Sequence, residues 1–299
     1  MPHVSGCDIS GEVAKVGSLV KDHSLGDKVL IAPGISDGTC EYCATGWDSL
    51  CESYKIIGYE TQGGYAEFAA VPSHNVLPIP GRLSFEEAAS VPLVGLTAWQ
   101  VLIERAKLKK GQKVLIHGGS GGVGTFAIQL AKHIGATVAT TTSTANVDLV
   151  RSLGADVVID YEKEDFAKVL NGYDVVLNSL GKDTLEKSLK VLKPRGKLIS
   201  ISGPPDIEFA KESGLNWVFQ QVMCLLSFHI RRKAKRHGIS YSFVFMRANG
   251  EQLSMITSLI ESGVVRQVVD RIFPFQATNE AMDYVATGRA KGKVVINVR

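Results

Sequence analysis

From about residue 113 the chain alternates short, continuously apolar runs with longer segments whose apolar positions recur every three to four residues. "KVLIHGG" precedes "GVGTFAIQLAKHIG", "ATVATTT" precedes "NVDLVRSLG", and "DVVID" precedes "KEDFAKVLNG". "YDVVLNSLG" then precedes "DTLEKSLKVLKPRG", and "GKLISISG" closes the series. A strand covered by helices on both faces loses the apolar–polar alternation of a half-exposed strand. The pattern therefore predicts an α/β fold with a doubly wound parallel sheet. "SYSFVFM" offers a sixth strand, and "EQLSMITSLIESG" a further helix.

The chain before this series has a different texture. Residues 1 to about 84 carry short β-type runs such as "DKVLIAP" and "YAEFAAV", punctuated by Gly and Pro, which predict a small antiparallel β domain. "SFEEAASVPLVGLTAWQVLIERA" has helical spacing, opened by Ser84 with acidic residues in its first turn. "VVRQVVDRIFPF" and "KVVINV" are β-like again and are expected to return to the first domain. The expected division is 1–84, 85–263 and 264–299.

The bulk properties narrow the function classes. The 299 residues are 45% hydrophobic and 21% charged, and the net charge of +3 does not point to nucleic acid. No apolar run approaches the ~20 residues of a membrane helix, and "MPHVSGCDIS" lacks the basic-then-apolar pattern of a leader. There are five cysteines, an odd count, and Cys40, Cys43 and Cys51 are clustered. This suits metal ligation in a reducing compartment better than a disulfide framework, so a cytoplasmic protein without stable membrane insertion is expected.

Gly119, Gly121 and Gly124 stand in G-x-G-x-x-G spacing between a predicted strand and a predicted helix. Glycine there permits a tight turn and lets backbone N–H groups approach a pyrophosphate, whose charge the helix N-terminus stabilises. This predicts a dinucleotide. An acid about 20 residues onward would grip the ribose hydroxyls of NAD, but "TTTSTAN" offers none before Asp148. Ser143 and Asn146 can instead donate to a 2′-phosphate, which favours NADPH; the same side chains could also simply cap the next helix.

Two further features invite competing readings. "HIRRKAKRH" places five cations beside the apolar "WVFQQVMCLLSF". It reads either as a membrane-facing or quinone-entry surface, or as a solvated face flanking a substrate-side helix. His117, at the end of the first strand, reads as structural. No Gly-x-Ser-x-Gly or Ser–His–Asp arrangement emerges.

"GCDISGEVAKVG", "GGYAEFAAVP", "LTAWQVL", "GGSGGVGTFAIQLAK" and "GRAKGKVVINV" together resemble the medium-chain dehydrogenase/reductase superfamily. The second half is most similar to its NADPH-dependent quinone oxidoreductase branch. The resemblance implies a Rossmann domain, a GroES-like β domain, an active site in the cleft between them, and a homodimer. It further implies that Ser120, Gly121, Gly122 and Val123 hold the phosphates and that Ser143 and Tyr161 flank the 2′-phosphate. Asn178, Ser202 and Gly203 would lie near the ribose and nicotinamide, with Phe243, Val244 and Phe245 lining the ring and Lys293 as a basic contact. Thr97 would approach the nicotinamide end; with Asn178 it is a positioning candidate, and no catalytic residue is assigned.

Three departures from the family pattern matter. The zinc alcohol dehydrogenase branch takes a catalytic ligand from "GHE", where this chain has Gly6, Cys7 and Asp8, and another where it has Leu93. Leucine has no lone pair, so no catalytic zinc is expected. The structural zinc loop of that branch uses four cysteines, matched here by Asp37, Cys40, Cys43 and Cys51. Aspartate is a legitimate ligand, so these four could close a tetrahedral, non-catalytic site; a metal-free relic is the alternative. Relatives also carry a further block of β structure before "PHVSG", so the β domain is expected to be partial. Either the start of this chain is misplaced or the chain is a truncated relative. The expected activity is NADPH-dependent reduction of a quinone, enone or similar conjugated carbonyl. Zinc-dependent alcohol oxidation and non-catalytic NADPH binding are the alternatives.

Overall fold

The computed structural model describes residues 3–44 and 51–299. The chain divides into two compact units, Met1–Leu96 with Arg247–Arg299, and Thr97–Met246. The sequence texture placed the boundaries at 84/85 and 263/264. Texture changes where a helix begins, whereas a compact unit ends where its contacts end, and α-helical residues at both junctions pack with the first unit.

The first unit opens with β1 (Ile9–Glu12), β2 (Lys28–Ile31), β3 (Gly34–Ile35), α1 (Glu41–Ala44), β4 (Lys55–Ile56) and β5 (Val76–Pro78). β1, β2 and β5 form an antiparallel sheet, and β3 pairs with β4. Val29, Ile31 and Ile57 centre its core, with Ile9, Val13, Val71 and Val76 packed around them. "YAEFAAV" does not become a strand. Gly63, Gly64 and Tyr65 donate their amides to Val4, Gly6 and Ser5 in irregular order, so the run's β propensity finds no ladder to join.

The predicted helix from Ser84 forms in pieces: α2 (Phe85–Ala89), α3 (Pro92–Trp99) and a π-helical turn over Gln100–Arg105. Ser84 closes a capping box with Glu87. Pro92 has no N–H and restrains the residue before it, which breaks the helix there.

The second unit alternates β6 (Lys113–Ile116), α4 (Gly122–Ile134), β7 (Thr137–Thr142), α5 (Val147–Ser152), β8 (Val157–Asp160) and α6 (Phe166–Val169). It continues through β9 (Tyr173–Asn178), α7 (Lys182–Ser188), β10 (Leu192–Ser200), α8 (Ile207–Glu212), α9 (Trp217–Arg236) and β11 (Ser240–Phe243). The six strands are all parallel, in the order β11-β10-β9-β6-β7-β8. This is the Rossmann order, and its direction reverses between β6 and β9. Fully buried Leu115, Ala139, Val176 and Leu198 confirm that both faces are covered. The chain then returns to the first unit through α10 (Gly250–Glu261), β12 (Val269–Pro274), α11 (Thr278–Ala286) and β13 (Lys293–Asn297), where β12 and β13 pair in parallel. The fold is α/β, with a GroES-like β domain and a Rossmann sheet.

His117 is locked in the second unit's core. Its ring nitrogens lie 3.1 Å from Thr141 Oγ1 and 3.0 Å from Ser188 Oγ, and Phe166 packs against it edge-on. Burial lowers its pKa to about 3, so the folded protein holds the ring neutral. The unfolded chain binds this proton below about pH 6.5, so stability falls as pH falls from there toward 3. By pH 4.5 the loss is about 2.5 kcal/mol. His117→Gln can satisfy both hydroxyls and is expected to remove this contribution, which urea unfolding at stepped pH will measure.

Candidate nucleotide and metal sites

The glycine turn joins β6 to α4, and its glycines are needed for space. A Cβ on Gly119 would lie 2.0 Å from Thr140 Oγ1, and one on Gly124 would lie 2.2 Å from the Gly118 carbonyl oxygen. Gly121 is the N-cap of α4, and no side chain caps the helix. A helix start of this kind presents amide donors to an anion.

Around it gather the ends of the neighbouring strands. Thr142 Oγ1 donates to Ser120 Oγ at 3.1 Å, and Asn146 Nδ2 lies 3.2 Å from both Ser120 Oγ and Ser143 Oγ. On the other side, fully buried Asn178 ends β9. Its Oδ1 accepts from the Leu180 amide at 3.0 Å, while Ser202 Oγ, 3.4 Å away, donates to the Leu180 carbonyl at 2.7 Å. Gly203 N donates to Ser200 Oγ at 2.8 Å, and Val244 N to the Ser200 carbonyl at 2.9 Å. Phe243 and Phe245 meet Phe209 edge-on at 5.1 and 6.4 Å. Ser202 and Gly203 also border a cavity of 390 Å³ beside Leu185, Leu226 and Ile230. Two buried polar atoms in this group have no partner: Asn178 Nδ2 and Asn146 Oδ1. Such atoms are costly unless a ligand satisfies them. Together with the glycine cradle and the uncapped helix, they fit a dinucleotide.

Tyr161 follows β8, donates its amide to the Thr142 carbonyl at 3.0 Å and is largely exposed. Beside it stand two residues that spacing did not single out. Asp160 accepts from Thr144 Oγ1 at 2.5 Å and pairs with Lys163 Nζ at 2.9 Å. Thr144, then Lys163, hold this carboxyl below its usual pKa. Lys163 thus brings a cation beside the loop after β7, its charge matched by the Asp160 carboxylate.

Two candidates remain to be placed. Thr97 is buried on α3. Lys293 belongs to the first unit, where its Nζ pairs with Asp8 Oδ2 at 2.8 Å. Asp8 Oδ1 also accepts from the Leu93 amide at 3.0 Å, capping α3 from a distant part of the chain. Burial would lower the Lys293 pKa, but the Asp8 carboxylate outweighs it and the pKa is raised. Asp8→Asn keeps the volume, removes the charge and leaves a largely buried ammonium without its counter-ion. It is expected to cost about 2 kcal/mol, or about 6 °C in melting temperature by calorimetry. An unchanged melting temperature would show that the pair is not stabilising.

The four metal candidates are brought together. The ligand atoms of Asp37, Cys40, Cys43 and Cys51 all lie within 4.8 Å of one another. Cys40 Sγ and Cys43 Sγ are 3.4 Å apart, and Cys43 Sγ is 3.4 Å from Asp37 Oδ1. A zinc–sulfur bond of about 2.3 Å sets tetrahedral sulfur–sulfur edges near 3.8 Å, so the cluster fits zinc. The amides of Thr39, at 2.8 Å, and Cys40, at 3.0 Å, hold the Asp37 carboxyl well below the usual carboxylate range. Asp37 is therefore available as an anionic ligand. Cys7, half-buried in the first unit, is not part of this cluster.

Known proteins resemble the chain along its whole length. The zinc-binding dehydrogenase family matches residues 153–296, and the alcohol dehydrogenase GroES-like domain matches residues 1–81. A 2-methylene-furan-3-one reductase from Solanum lycopersicum is 36% identical over 99% of the chain, which spans 64% of that protein's length. The NAD(P)H oxidoreductase RTN4IP1, mitochondrial, of Danio rerio is 33% identical over 99% of the chain and 72% of its own. Among solved structures, an NAD-dependent alcohol dehydrogenase superposes with a TM-score of 0.87 at 32% identity, over 100% of this chain and 84% of its own. The quinone oxidoreductase from Coxiella burnetii gives 0.78 at 30% identity, over 100% and 80%. The chain belongs to the medium-chain dehydrogenase/reductase superfamily, in its quinone oxidoreductase-like branch.

Proposed function

We propose that this chain is an NADPH-dependent oxidoreductase that reduces a quinone, enone or similar conjugated carbonyl without catalytic zinc. The observation that carries the reading is the glycine turn at the sheet's reversal point, flanked by the unpartnered amide nitrogen of buried Asn178. The nicotinamide, when bound, supplies the hydride. The chain's own residues bind and orient it. Ser120, Gly121, Gly122 and Val123 offer donors to the pyrophosphate. Ser143, Asn146 and Tyr161, with Lys163, receive the 2′-phosphate. Asn178 presents a hydrogen-bond donor toward the ribose and nicotinamide, held in orientation by the Leu180 amide. Phe243 and Phe245, braced by Phe209, offer an apolar wall that keeps water from the ring. Thr97 is a positioning candidate.

Asp37, Cys40, Cys43 and Cys51 would hold one zinc in a closed site. All four positions are then filled by protein, so the metal fixes the local chain and has no room for substrate. We place the protein in the cytoplasm, as a homodimer. No described helix is long and apolar enough to cross a membrane.

Titration with NADPH and NADH, followed by turnover against a panel of quinones and enones, tests the reading. Preferential NADPH binding and chelator-resistant oxidation of NADPH are expected. NADPH binding without turnover on any acceptor would make the chain a non-catalytic binder. Chelator-sensitive alcohol oxidation would instead point to zinc catalysis.

A further inference from the structure

Helix α9 is poorly covered for its length. Over its 20 residues only Ser227, Ile230 and Ala234 are buried, a single narrow stripe. Trp217 is 71% exposed and Leu225 74%, with Val218, Val222 and Phe228 also exposed. At about 100° per residue these side chains lie on the arc opposite the buried stripe. The same outward arc continues through Arg232, Lys235 and Arg236, all exposed. It is therefore apolar, Gln221 apart, for its first three turns and cationic for its last two. Exposed apolar groups on this scale mark a docking surface rather than ordinary solvated surface.

Charge decides what docks there. No Asp or Glu occurs between Glu212 and Glu251. Three of the four acids on α7 and α8 are engaged: Glu186 with Lys233 and His229, and Glu208 and Glu212 with Arg105. A second copy laid on this face by two-fold symmetry would set the cationic turns against the partner's cationic or apolar turns, with no carboxylate on α9 to receive them. An anionic bilayer matches both halves, because apolar side chains enter the acyl boundary while Arg and Lys meet the phosphates.

We propose that α9 docks this protein peripherally on anionic lipid membranes. Trp217, Val218, Val222, Leu225 and Phe228 insert at the interface, and Arg232, Lys235 and Arg236 lie at the headgroups.

The test is co-sedimentation of the full chain with vesicles of phosphatidylcholine alone, or mixed with phosphatidylglycerol. Binding to the mixed vesicles only is expected, weakening as salt rises. Each cation near an anionic surface is worth about fivefold in partitioning, so Arg232→Glu/Lys235→Glu/Arg236→Glu is expected to bind at least about a hundredfold more weakly. Brominated lipid is expected to quench emission from the native chain but not from Trp217→Phe. Leu225→Asn should weaken partitioning while unaltered thermal unfolding and NADPH titration show that the fold is intact. The proposal is overturned if the full chain stays in the supernatant with mixed vesicles at low salt. It is equally overturned if the triple variant binds as the parent does. A dimer that Leu225→Asn dissociates would also overturn it, because a second copy would then cover the face.

Discussion

Replacing Gly124 by alanine is expected to weaken NADPH binding about a hundredfold while costing the fold only about 1–3 kcal/mol. The added Cβ would sit 2.2 Å from the Gly118 carbonyl oxygen and 2.7 Å from Gly119 Cα. Both are backbone atoms of the turn itself, so no flexible side chain can yield. The first turn of α4 has to move away, and the amides facing the pyrophosphate move with it. Losing two charge-assisted amide–phosphate bonds, at about 1.5 kcal/mol each, removes about 3 kcal/mol, which is the stated hundredfold. Gly121→Ala is the control. Its Cβ meets Gly118 only at 3.4 Å, an ordinary contact, so it is expected to lose less than about tenfold. Fluorescence titration with NADPH and urea unfolding of both variants separate binding from stability. Equal affinities for Gly124→Ala and the parent would remove the steric account, and with it the assignment of this turn to the pyrophosphate.

The alternation of buried strands and amphipathic helices was legible because covering both faces of a sheet leaves a direct mark on composition. The glycine turn was legible for a related reason: close backbone approach excludes every side chain, so its signal is local and strict. Contacts formed across long separations left no such mark. Asp8 and Lys293 pair across 285 positions, and nothing in the spacing of either residue announces the other. Lys163 was missed because its relevance depends on the parallel pairing of β7 with β8, which sets Thr142 beside Asp160. "YAEFAAV" misled because its apolar and aromatic content is real, but strand formation needs a partner ladder, and the irregular pairing of Gly63–Tyr65 with residues 4–6 provides none. The break at Pro92 could have been read from the proline alone. The π-helical turn that follows could not, since no residue type marks an i→i+5 bond.

Zinc content and thermal stability together give the second large effect. Purified in added zinc, the protein is expected to hold one zinc per chain, and strong chelation is expected to lower the melting temperature by about 10 °C. The magnitude follows from linkage. Zinc held at about a thousand times its dissociation constant stabilises the folded state by about 4 kcal/mol, at about 2–4 °C per kcal/mol for a unit of this size. Cys51 is the buried member of the cluster, so Cys51→Ser should abolish zinc retention. Asp37→Cys works in the opposite direction. A fourth thiolate suits zinc better than a carboxylate already hydrogen-bonded to the Thr39 and Cys40 amides, so this variant should retain zinc at chelator concentrations that strip the parent. Turnover per folded molecule should stay near the parental rate in Asp37→Cys, because a site whose four positions are filled by protein has no place for substrate. Elemental analysis that finds no metal, with a melting temperature indifferent to chelator, would leave the three thiols as a cluster stabilised only by burial and their own hydrogen bonds.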